Sequence, residues 1–236
     1  MLSVVMPAFN EADFLRAAVG EVVAGLRARN RDAEVIVVEN GSTDATAAVA
    51  RELEEELAEV RALSLPAADY GAALRAGLLA ARGDVVVNFD VDYFDLDFLD
   101  RAVSLIEAAG GPTIVVATKR GAGAEDQRAA SRRLITWAFG AVLRLGFGLK
   151  VSDTHGMKAM RQAPLLGVVE ACRFGTDLFD TELLLRAERA GLAVAEVPIV
   201  VSESRPSRTS IARRAVRTIG GLVRLRLALW REQARR

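Results

Sequence analysis

Two aspartates separated by one residue are the strongest chemical signal in this chain. Asp90 and Asp92 follow the apolar run 85–89, which predicts a buried strand. Side chains at positions i and i+2 of an extended segment point the same way, so the two carboxylates are expected to converge. Converging carboxylates repel one another unless a cation lies between them, and Mg²⁺ and Mn²⁺ prefer oxygen ligands. The pattern predicts a Mg²⁺ or Mn²⁺ site that receives a phosphorylated ligand; two solvated acids in a turn are the alternative.

Strand and helix patterns alternate along the chain and position these acids. The apolar runs are continuous, which is typical of parallel strands covered on both faces. The expected strands are residues 2–6, 34–38, 60–65, 85–89, 113–118 and 194–201. The expected helices are residues 11–29, a second ending near 59, 71–82, 128–146 and 182–189. Asn10 is expected to cap the first of them. This order predicts an α/β fold, a doubly wound and mostly parallel sheet flanked by helices.

Composition narrows the class of protein. The chain has 236 residues, 51% of them hydrophobic, which suits one globular domain with a short appendage. Its single cysteine, Cys172, and single histidine, His155, exclude a disulfide framework and a multi-Cys/His zinc site. Cys172 is expected to be a buried thiol. We expect no signal peptide and no transmembrane helix, because no uncharged apolar run reaches about 18 residues.

The zero net charge conceals a basic tail. From Arg205 to Arg236 there are ten arginines and one acid, Glu232, so this segment carries +9 and the preceding residues −9. We divide the chain into a catalytic domain, residues 1–209, and a basic amphipathic helix, residues 210–236, weakened by Gly220 and Gly221. Arginine-rich helices that carry tryptophan often lie on anionic membranes. Packing on the acidic body and contact between two copies are the alternatives. Nucleic-acid binding is not expected.

Polar residues follow the other strands as well. The loops after parallel strands meet at one edge of the sheet, where ligands bind. Those loops carry Asn10, Glu11, Glu39, Asn40, Gly41, Ser42, Asp44, Asp69, Asp90 and Asp92. Acids and amides there suit hydrogen bonding to a ribose and a base, while a cation neutralises phosphates. The glycine motifs of Rossmann dehydrogenases and P-loop NTPases are absent from the sequence, which argues against both classes.

The chain resembles family 2 glycosyltransferases of the GT-A fold, the nucleotide-diphospho-sugar transferase fold, over residues 2–210. The motifs that carry the resemblance are VMPAFNE at 5–11, ENGSTDAT at 39–46, YGAAL at 70–74 with ARGD at 81–84, the aspartate pair, TKR at 118–120, DTHGMK at 153–158, the segments 182–191 and 196–199, and RPSR at 205–208. The downstream half looks closest to dolichol- or polyprenyl-phosphate mannosyltransferases. Each motif is weak alone, and their shared order makes the resemblance specific.

The resemblance implies a nucleotide-sugar donor and a divalent metal. Asp90 and Asp92 would hold the metal on the donor's diphosphate. The donor and nucleotide pocket would be lined by Pro7, Ala8, Asn10, Glu11, Glu39, Asn40, Ser42, Asp69, Gly71 and Asp90. The pair Glu39-Asn40 stands where the family has two acids, so the nucleotide, GDP or UDP, stays open.

The resemblance also implies a set of phosphate- or acceptor-binding residues. They are Lys119, Arg120, Arg132, Arg133, Asp153, His155, Lys158, Arg205 and Arg208. Arg132 and Arg133 could instead form the solvated face of a helix, and His155 could have a structural role. Ser207-Arg208-Thr209 departs from the family's Gly-x-Ser-Lys, so the sequence does not define how the loop over the donor closes.

The type of acceptor decides which catalytic groups are needed. An anionic lipid phosphate needs only cations to hold it, whereas a hydroxyl needs a base, for which Asp180 or Glu182 is available; the family match favours Glu182 as the site residue, as a base or an orienter. With Arg120 and the two metal-binding aspartates these acids form the candidate catalytic set.

We expect an inverting transferase that moves mannose or glucose to a polyprenyl phosphate, in the cytoplasm on the inner face of the membrane. A hydroxyl acceptor and a sugar-phosphate nucleotidyltransferase are the alternatives, and oligomeric state is open.

Overall fold

The structure is a computed structural model that describes residues 1–118, 125–126, 143–144, 146–151, 154, 156–175, 178–201 and 211–233. Its strands within these ranges are β1 Leu2–Ala8, β2 Ala33–Asn40, β3 Val60–Leu65, β4 Val85–Asn88, β5 Ile114–Thr118, β6 Glu125–Asp126, β7 Lys158–Arg161, β8 Val194–Pro198 and β9 Val200–Val201. Its helices there are α1 Ala12–Ala28, α2 Thr46–Glu56, α3 Tyr70–Ala80, α4 Leu96–Glu107, α5 Gln162–Ala171, α6 Phe179–Arg189 and α7 Ile211–Gln233.

Seven strands form one sheet in the order β3-β2-β1-β4-β7-β5-β8. All neighbours are parallel except β7, which runs antiparallel to both β4 and β5. The short strands β6 and β9 pair separately. From β1 the chain winds outward to β3 and then returns to place β4 on the other side of β1, so the order reverses between β1 and β4. Open α/β sheets bind ligands beyond the carboxyl ends of strands at such a reversal.

Apolar side chains cover both faces of this sheet. One face packs against α1, α2 and α4, with Phe89, Phe98 and Leu15 fully buried. The other packs against α3, α5, α6 and α7, with Leu74 and Phe179 fully buried. Because both faces are covered, the central strands contain apolar residues at nearly every position, as continuous runs predict.

The predicted α/β fold is confirmed, and the differences lie at particular elements. The strand predicted at residues 60–65 has those bounds as β3, and α6 begins three residues earlier than expected, at Phe179. The antiparallel strand β7 and the helix α5 were not predicted. Asn10 does not cap α1: the cap position is Glu11, and Asn10 adopts a left-handed backbone with φ 54°. Cys172 is a buried free thiol, as predicted.

The C-terminal helix α7 packs on the body of the molecule. Leu222, Leu225 and Leu229 are buried in the core on the α6 side of the sheet. The helix runs without a break through Gly220 and Gly221. A Cβ atom at Gly221 would lie 2.2 Å from Cδ1 of Leu178, so this glycine lets the helix approach the body rather than weakening it. Among the described residues no helix is long and apolar enough to cross a bilayer.

Candidate active site

Several predicted site residues lie beyond the carboxyl ends of β1 and β4, where the strand order reverses, and this edge of the sheet is called the crevice below. β1 ends at Ala8 and leads into Asn10 and Glu11, while β4 ends at Asn88 and leads into Asp90. In the β1–β4 register Val5 lies opposite Asn88, so the two strand ends are adjacent. The reversal of strand order therefore places the β1 loop and the aspartate pair at the same edge.

Asp90 and Asp92 lie in a tight turn rather than in an extension of β4. The backbone N–H of Asp90 donates to the carbonyl of Tyr93 and the N–H of Tyr93 donates to the carbonyl of Asp90, both at 3.2 Å. This corrects the expectation that an extended backbone aligns the two side chains. Asp90 is partly buried at the crevice and Asp92 is exposed. The turn still brings the two carboxylates close enough for their charges to interact.

Among the described residues, the charges that act on Asp90 are predominantly negative. Burial, followed by the negative charges of Asp180 and Asp92, raises the pKa of Asp90 to about 6, against smaller opposing effects of Tyr70 and Lys158. Of the salt bridges between described residues, none includes Asp90 or Asp92. A group with this excess of negative charge favours a bound cation.

The two aspartates fit a divalent cation that is shared with a ligand. Within the described ranges, no three His, Cys, Asp or Glu side chains meet closely enough to hold a metal ion by themselves. Mg²⁺ typically takes one or two carboxylates and completes its coordination with water and substrate phosphates. Asp90 and Asp92 supply that number of carboxylates, with hard oxygen donors and uncompensated charge.

The β1 loop is fastened to the loop after β2 by hydrogen bonds. Asn10 Oδ1 accepts from the N–H of Thr43 at 2.8 Å, and the N–H of Asn10 donates to Ser42 Oγ at 3.1 Å. The N–H of Glu11 donates to Thr46 Oγ1 at 2.9 Å. These bonds explain the left-handed backbone of Asn10, which few residues other than Asn, Asp and Gly adopt readily. The two loops form one braced wall of the crevice.

Glu39 and Asn40 are buried behind that wall. Glu39 accepts hydrogen bonds from the N–H of Ser42 and from Ser64 Oγ. Burial acts to raise the pKa of Glu39, but the hydrogen bonds from Ser64 and Ser42 outweigh it and lower the pKa. Asn40 donates from Nδ2 to the carbonyl of Ala8 at 2.9 Å and accepts from the N–H of Asp69 at 3.2 Å. The contacts of both residues support the wall, and their predicted contact with a nucleotide stays a prediction.

The start of α3 forms the floor of the crevice. Asp69 caps α3 by accepting from the N–H of Ala72 at 3.0 Å, and Gly71 is buried in the first turn. Tyr70, between them, donates from its hydroxyl to Asp90 Oδ1 at 3.1 Å. Burial and the charges of Asp90, Asp180 and Asp92 raise the pKa of Tyr70 well above its usual value. Tyr70 therefore remains a neutral hydrogen-bond donor to Asp90.

Lys158 and Asp180 form a buried ion pair beside the crevice. Lys158 Nζ donates to Asp180 Oδ1 and to the carbonyl of Gly156, both at 2.8 Å, and the Lys158 side chain is 0% exposed. Lys158 occupies β7 opposite Asn88 in β4. The burial of this ammonium group argues against its contact with a phosphate, and the phosphate-binding role of Lys158 stays a prediction. Asp180, predicted as a candidate base, is paired with a cation.

Glu182 belongs to a network that ends on the C-terminal helix. Its Oε2 accepts from the N–H groups of Arg173 and Phe174, both at 2.8 Å, and its Oε1 accepts from Arg186 Nε at 2.8 Å. Arg186 also donates to both carboxylate oxygens of Glu232 on α7, at 2.8 and 3.1 Å. Glu182 is 0% exposed. Both oxygens are engaged and buried, which argues against Glu182 as a general base; its predicted role at the site, as a base or an orienter, stays a prediction.

Most of the predicted phosphate-binding residues lie outside the described residues. They are Lys119, Arg120, Arg132, Arg133, Asp153, His155, Arg205 and Arg208. Their roles stay predictions.

Sequence reasoning missed Tyr70, Arg186 and Glu232 as residues that organise the site. The i, i+4 spacing of Glu182 and Arg186 is a signal for a helical ion pair that was available in the sequence. Nothing in the sequence marks the contact of Glu232 with Arg186, because 46 residues separate them.

Comparison with known proteins identifies the family. A family model described as glycosyl transferase family 2 matches residues 3–166, more than half of the chain. The dolichyl-phosphate beta-glucosyltransferase ALG5C of Trichomonas vaginalis is 28% identical over 248 residues, covering 96% of this chain and 72% of the relative. An uncharacterized glycosyltransferase of Mycobacterium tuberculosis is 35% identical over 202 residues, covering 84% of each chain. These relatives shift the resemblance from mannosyltransferases toward glucosyltransferases.

Solved structures agree with this assignment. Glucosyl-3-phosphoglycerate synthase of Mycobacterium tuberculosis in complex with Mn²⁺, UDP-glucose and phosphoglyceric acid aligns with a TM-score of 0.64 at 26% identity, covering 87% of this chain and 72% of that one. Mannosyl-3-phosphoglycerate synthase of Rubrobacter xylanophilus, at 20% identity and a TM-score of 0.68, shares the fold. It covers 100% of this chain and 75% of that one. The chain belongs to glycosyl transferase family 2 and is a glycosyltransferase of the GT-A fold.

Proposed function

We propose that this enzyme transfers glucose from UDP-glucose to a polyprenyl phosphate, with a divalent metal at Asp90 and Asp92. The observation that supports a phosphate acceptor is that the two acids on α6 are already bonded to other groups. Asp180 is paired with Lys158, and Glu182 is buried with both oxygens bonded. Glu182 thus has no oxygen available to a hydroxyl, and Asp180 is buried and held by a cation through Oδ1. An acceptor phosphate is already anionic and needs no base.

The donor and the metal are supported by relatives. Dolichyl-phosphate beta-glucosyltransferases are among the relatives that span almost the whole chain. Neighbouring structures contain Mn²⁺ with UDP-glucose, or Mg²⁺ with UDP. The negative charge around Asp90 and Asp92 suits the same cations. The bound cation would neutralise charge that builds on the departing diphosphate.

The proposed step is a single displacement. An oxygen of the acceptor phosphate forms a bond to the anomeric carbon of the sugar while the bond to the diphosphate breaks, which inverts that carbon. UDP leaves with the bonding electrons, and no proton moves from the acceptor. The fastened walls of the crevice, with Asn10 on one side and Tyr70 below, would hold the donor in place. Preorganised groups of this kind supply most of the rate enhancement of many enzymes.

A polyprenyl phosphate requires contact with a membrane, and α7 offers a face for it. Val223, Leu227 and Trp230 are exposed, with Trp230 at 64%, on the side of the helix opposite the buried leucines. Exposed Arg224 and Arg231 flank this stripe. An apolar stripe with arginines beside it suits the surface of an anionic bilayer. We infer a peripheral position on the inner face of the membrane.

The test is a donor panel with and without a short polyprenyl phosphate. UDP-glucose, GDP-mannose and UDP-N-acetylglucosamine would each be supplied as labelled sugar with Mn²⁺ or Mg²⁺. We expect labelled lipid from UDP-glucose alone, and only when a metal is present. Labelled lipid from GDP-mannose would overturn the assignment of UDP-glucose as the donor. Product formed without a metal would overturn the proposed metal site.

A hydroxyl acceptor on a small phosphorylated molecule is the second candidate. It is favoured by the structural neighbours, which are named for 3-phosphoglycerate products and bind phosphoglyceric acid. The same panel with 3-phosphoglycerate in place of the lipid separates the two. A water-soluble glucosyl product without a lipid product would replace the first proposal.

Membrane contact has its own measurement. Co-sedimentation with vesicles of phosphatidylglycerol and phosphatidylcholine would be compared with vesicles of phosphatidylcholine alone. We expect binding to the anionic vesicles and its loss in Trp230→Ser with Leu227→Ser. Ser104→Ala, on the exposed side of α4, is the control expected to bind normally. Equal binding by all three proteins would contradict membrane contact through the exposed apolar side of α7.

A further inference from the structure

Tyr70 is held in place by three elements that meet at the crevice. It is the first residue of α3, and Asp69 before it caps the helix. The N–H of Asp69 donates to Asn40 at the end of β2, which also bonds the end of β1. These bonds fix the backbone at the start of α3, from which the Tyr70 side chain reaches Asp90.

The hydroxyl of Tyr70 contacts a single oxygen of the Asp90 carboxylate. It donates to Oδ1 at 3.1 Å, across from α3 to the turn after β4. A hydrogen bond to one oxygen restricts the rotation of the carboxylate, and no hydrogen bond to its second oxygen is formed by the described part of the chain. Carboxylates that ligate metals are commonly oriented by a hydrogen bond from a neighbouring side chain.

We propose that Tyr70 is a positioning residue for the divalent cation, because its hydroxyl orients the Asp90 carboxylate toward the metal. This inference rests on the proposed function, in which Asp90 and Asp92 hold the cation. Loss of such a supporting hydrogen bond typically lowers metal affinity about 10- to 100-fold. Tyr70 does not need to touch the sugar or the acceptor for this effect.

The chain has two tyrosines, and the second provides a matched control. Tyr93 pairs with Asp90 through the backbone, but its hydroxyl donates to the carbonyl of Val200 at 3.1 Å. Tyr93→Phe therefore removes a hydroxyl beside the same turn without changing the Asp90 carboxylate. Tyr70→Phe removes the one that contacts it, and phenylalanine keeps the volume of the ring.

The experiment is calorimetric titration of UDP with and without Mn²⁺ into wild type, Tyr70→Phe and Tyr93→Phe. We expect Tyr70→Phe to weaken the Mn²⁺-dependent binding about 10- to 100-fold and to leave UDP binding in the absence of metal unchanged. Tyr93→Phe should match wild type. Wild-type affinity in Tyr70→Phe, or an equal loss in Tyr93→Phe, overturns the inference. Absence of any Mn²⁺ effect in wild type overturns the metal site of the proposed function, and the inference with it.

Discussion

Two pairs of acids near the crevice have opposite environments. Asp90 and Asp92, in the turn after β4, form no salt bridge with a described residue, and the pKa of Asp90 is raised, first by burial and then by Asp180 and Asp92. Asp180 and Glu182, on α6, are each paired with a buried or half-buried cation. The charge of the first pair is available to a bound cation, whereas the charge of the second pair is neutralised by ion pairs within the protein. Residue type and spacing alone do not separate these two roles.

Removing the cation from the paired acids should give the largest effect on stability. Lys158→Met leaves Asp180 buried without its partner, and breaking a buried pair in this way costs about 3–5 kcal/mol in the free energy of unfolding. Urea unfolding without metal measures it. The double variant Lys158→Met with Asp180→Leu should recover most of the loss. If the single variant is as stable as wild type, the pair has no structural role.

The bond between Glu182 and Arg186 should contribute less. Glu182→Gln keeps the shape of the side chain but weakens hydrogen bonds to a charged group, which are worth about 1.5–3 kcal/mol. The exposed Glu21 on α1 gives the control: Glu21→Gln should change stability by less than about 0.5 kcal/mol. Equal urea midpoints for the two variants would show that the network to Glu232 is not needed.

The open pair should respond to pH. Because the pKa of Asp90 is raised from 3.8 to about 6, the folded protein binds this proton more tightly than the unfolded chain does. The contribution of Asp90 to the stability of the metal-free protein is therefore lost as pH rises from about 4 to about 6, and comparison of wild type with Asp90→Asn in urea unfolding at both pH values measures it.

Binding of Mn²⁺ with UDP should show the opposite trend, since a metal requires the ionised carboxylate. Its affinity should be about tenfold lower near pH 5 than near pH 7.5, after correction for the Mn²⁺–UDP complex in solution. Calorimetry at both pH values measures this, and Asp90→Asn should lack the difference. A pH-independent affinity would contradict an Asp90 ligand with a raised pKa.

The smallest effects should come from the two glycines of α7. A Cβ at Gly221 meets Leu178, whereas nothing lies within 4 Å of a Cβ at Gly220. Gly220→Ala should stabilise the protein by about 0.5–1 kcal/mol through helix propensity, and Gly221→Ala should destabilise it. Thermal unfolding measures both. Stabilisation by both substitutions would mean that α7 does not pack closely on the body at this point.

The sequence was sufficient for the fold where the signals are local. Continuous apolar runs predicted the parallel strands, and the positions of polar residues after them predicted the edge at which Asn10, Asp69 and Asp90 meet. It was insufficient where pairing is remote. β7 is short and antiparallel to both of its neighbours, and the ion pair of Lys158 with Asp180 is not visible in the sequence. The contact of Tyr70 with Asp90 likewise depends on where α3 begins relative to β4.

The most direct test compares one member of each pair. Mn²⁺-dependent UDP binding would be measured by calorimetry in Asp90→Asn and in Glu182→Gln, each beside wild type. We expect Asp90→Asn to lose more than about 100-fold in Mn²⁺-dependent affinity, because a ligand is removed, and Glu182→Gln to bind as wild type does. Unchanged affinity in Asp90→Asn, or the same loss in both variants, would contradict the division between acids that bind the metal and acids that support the fold.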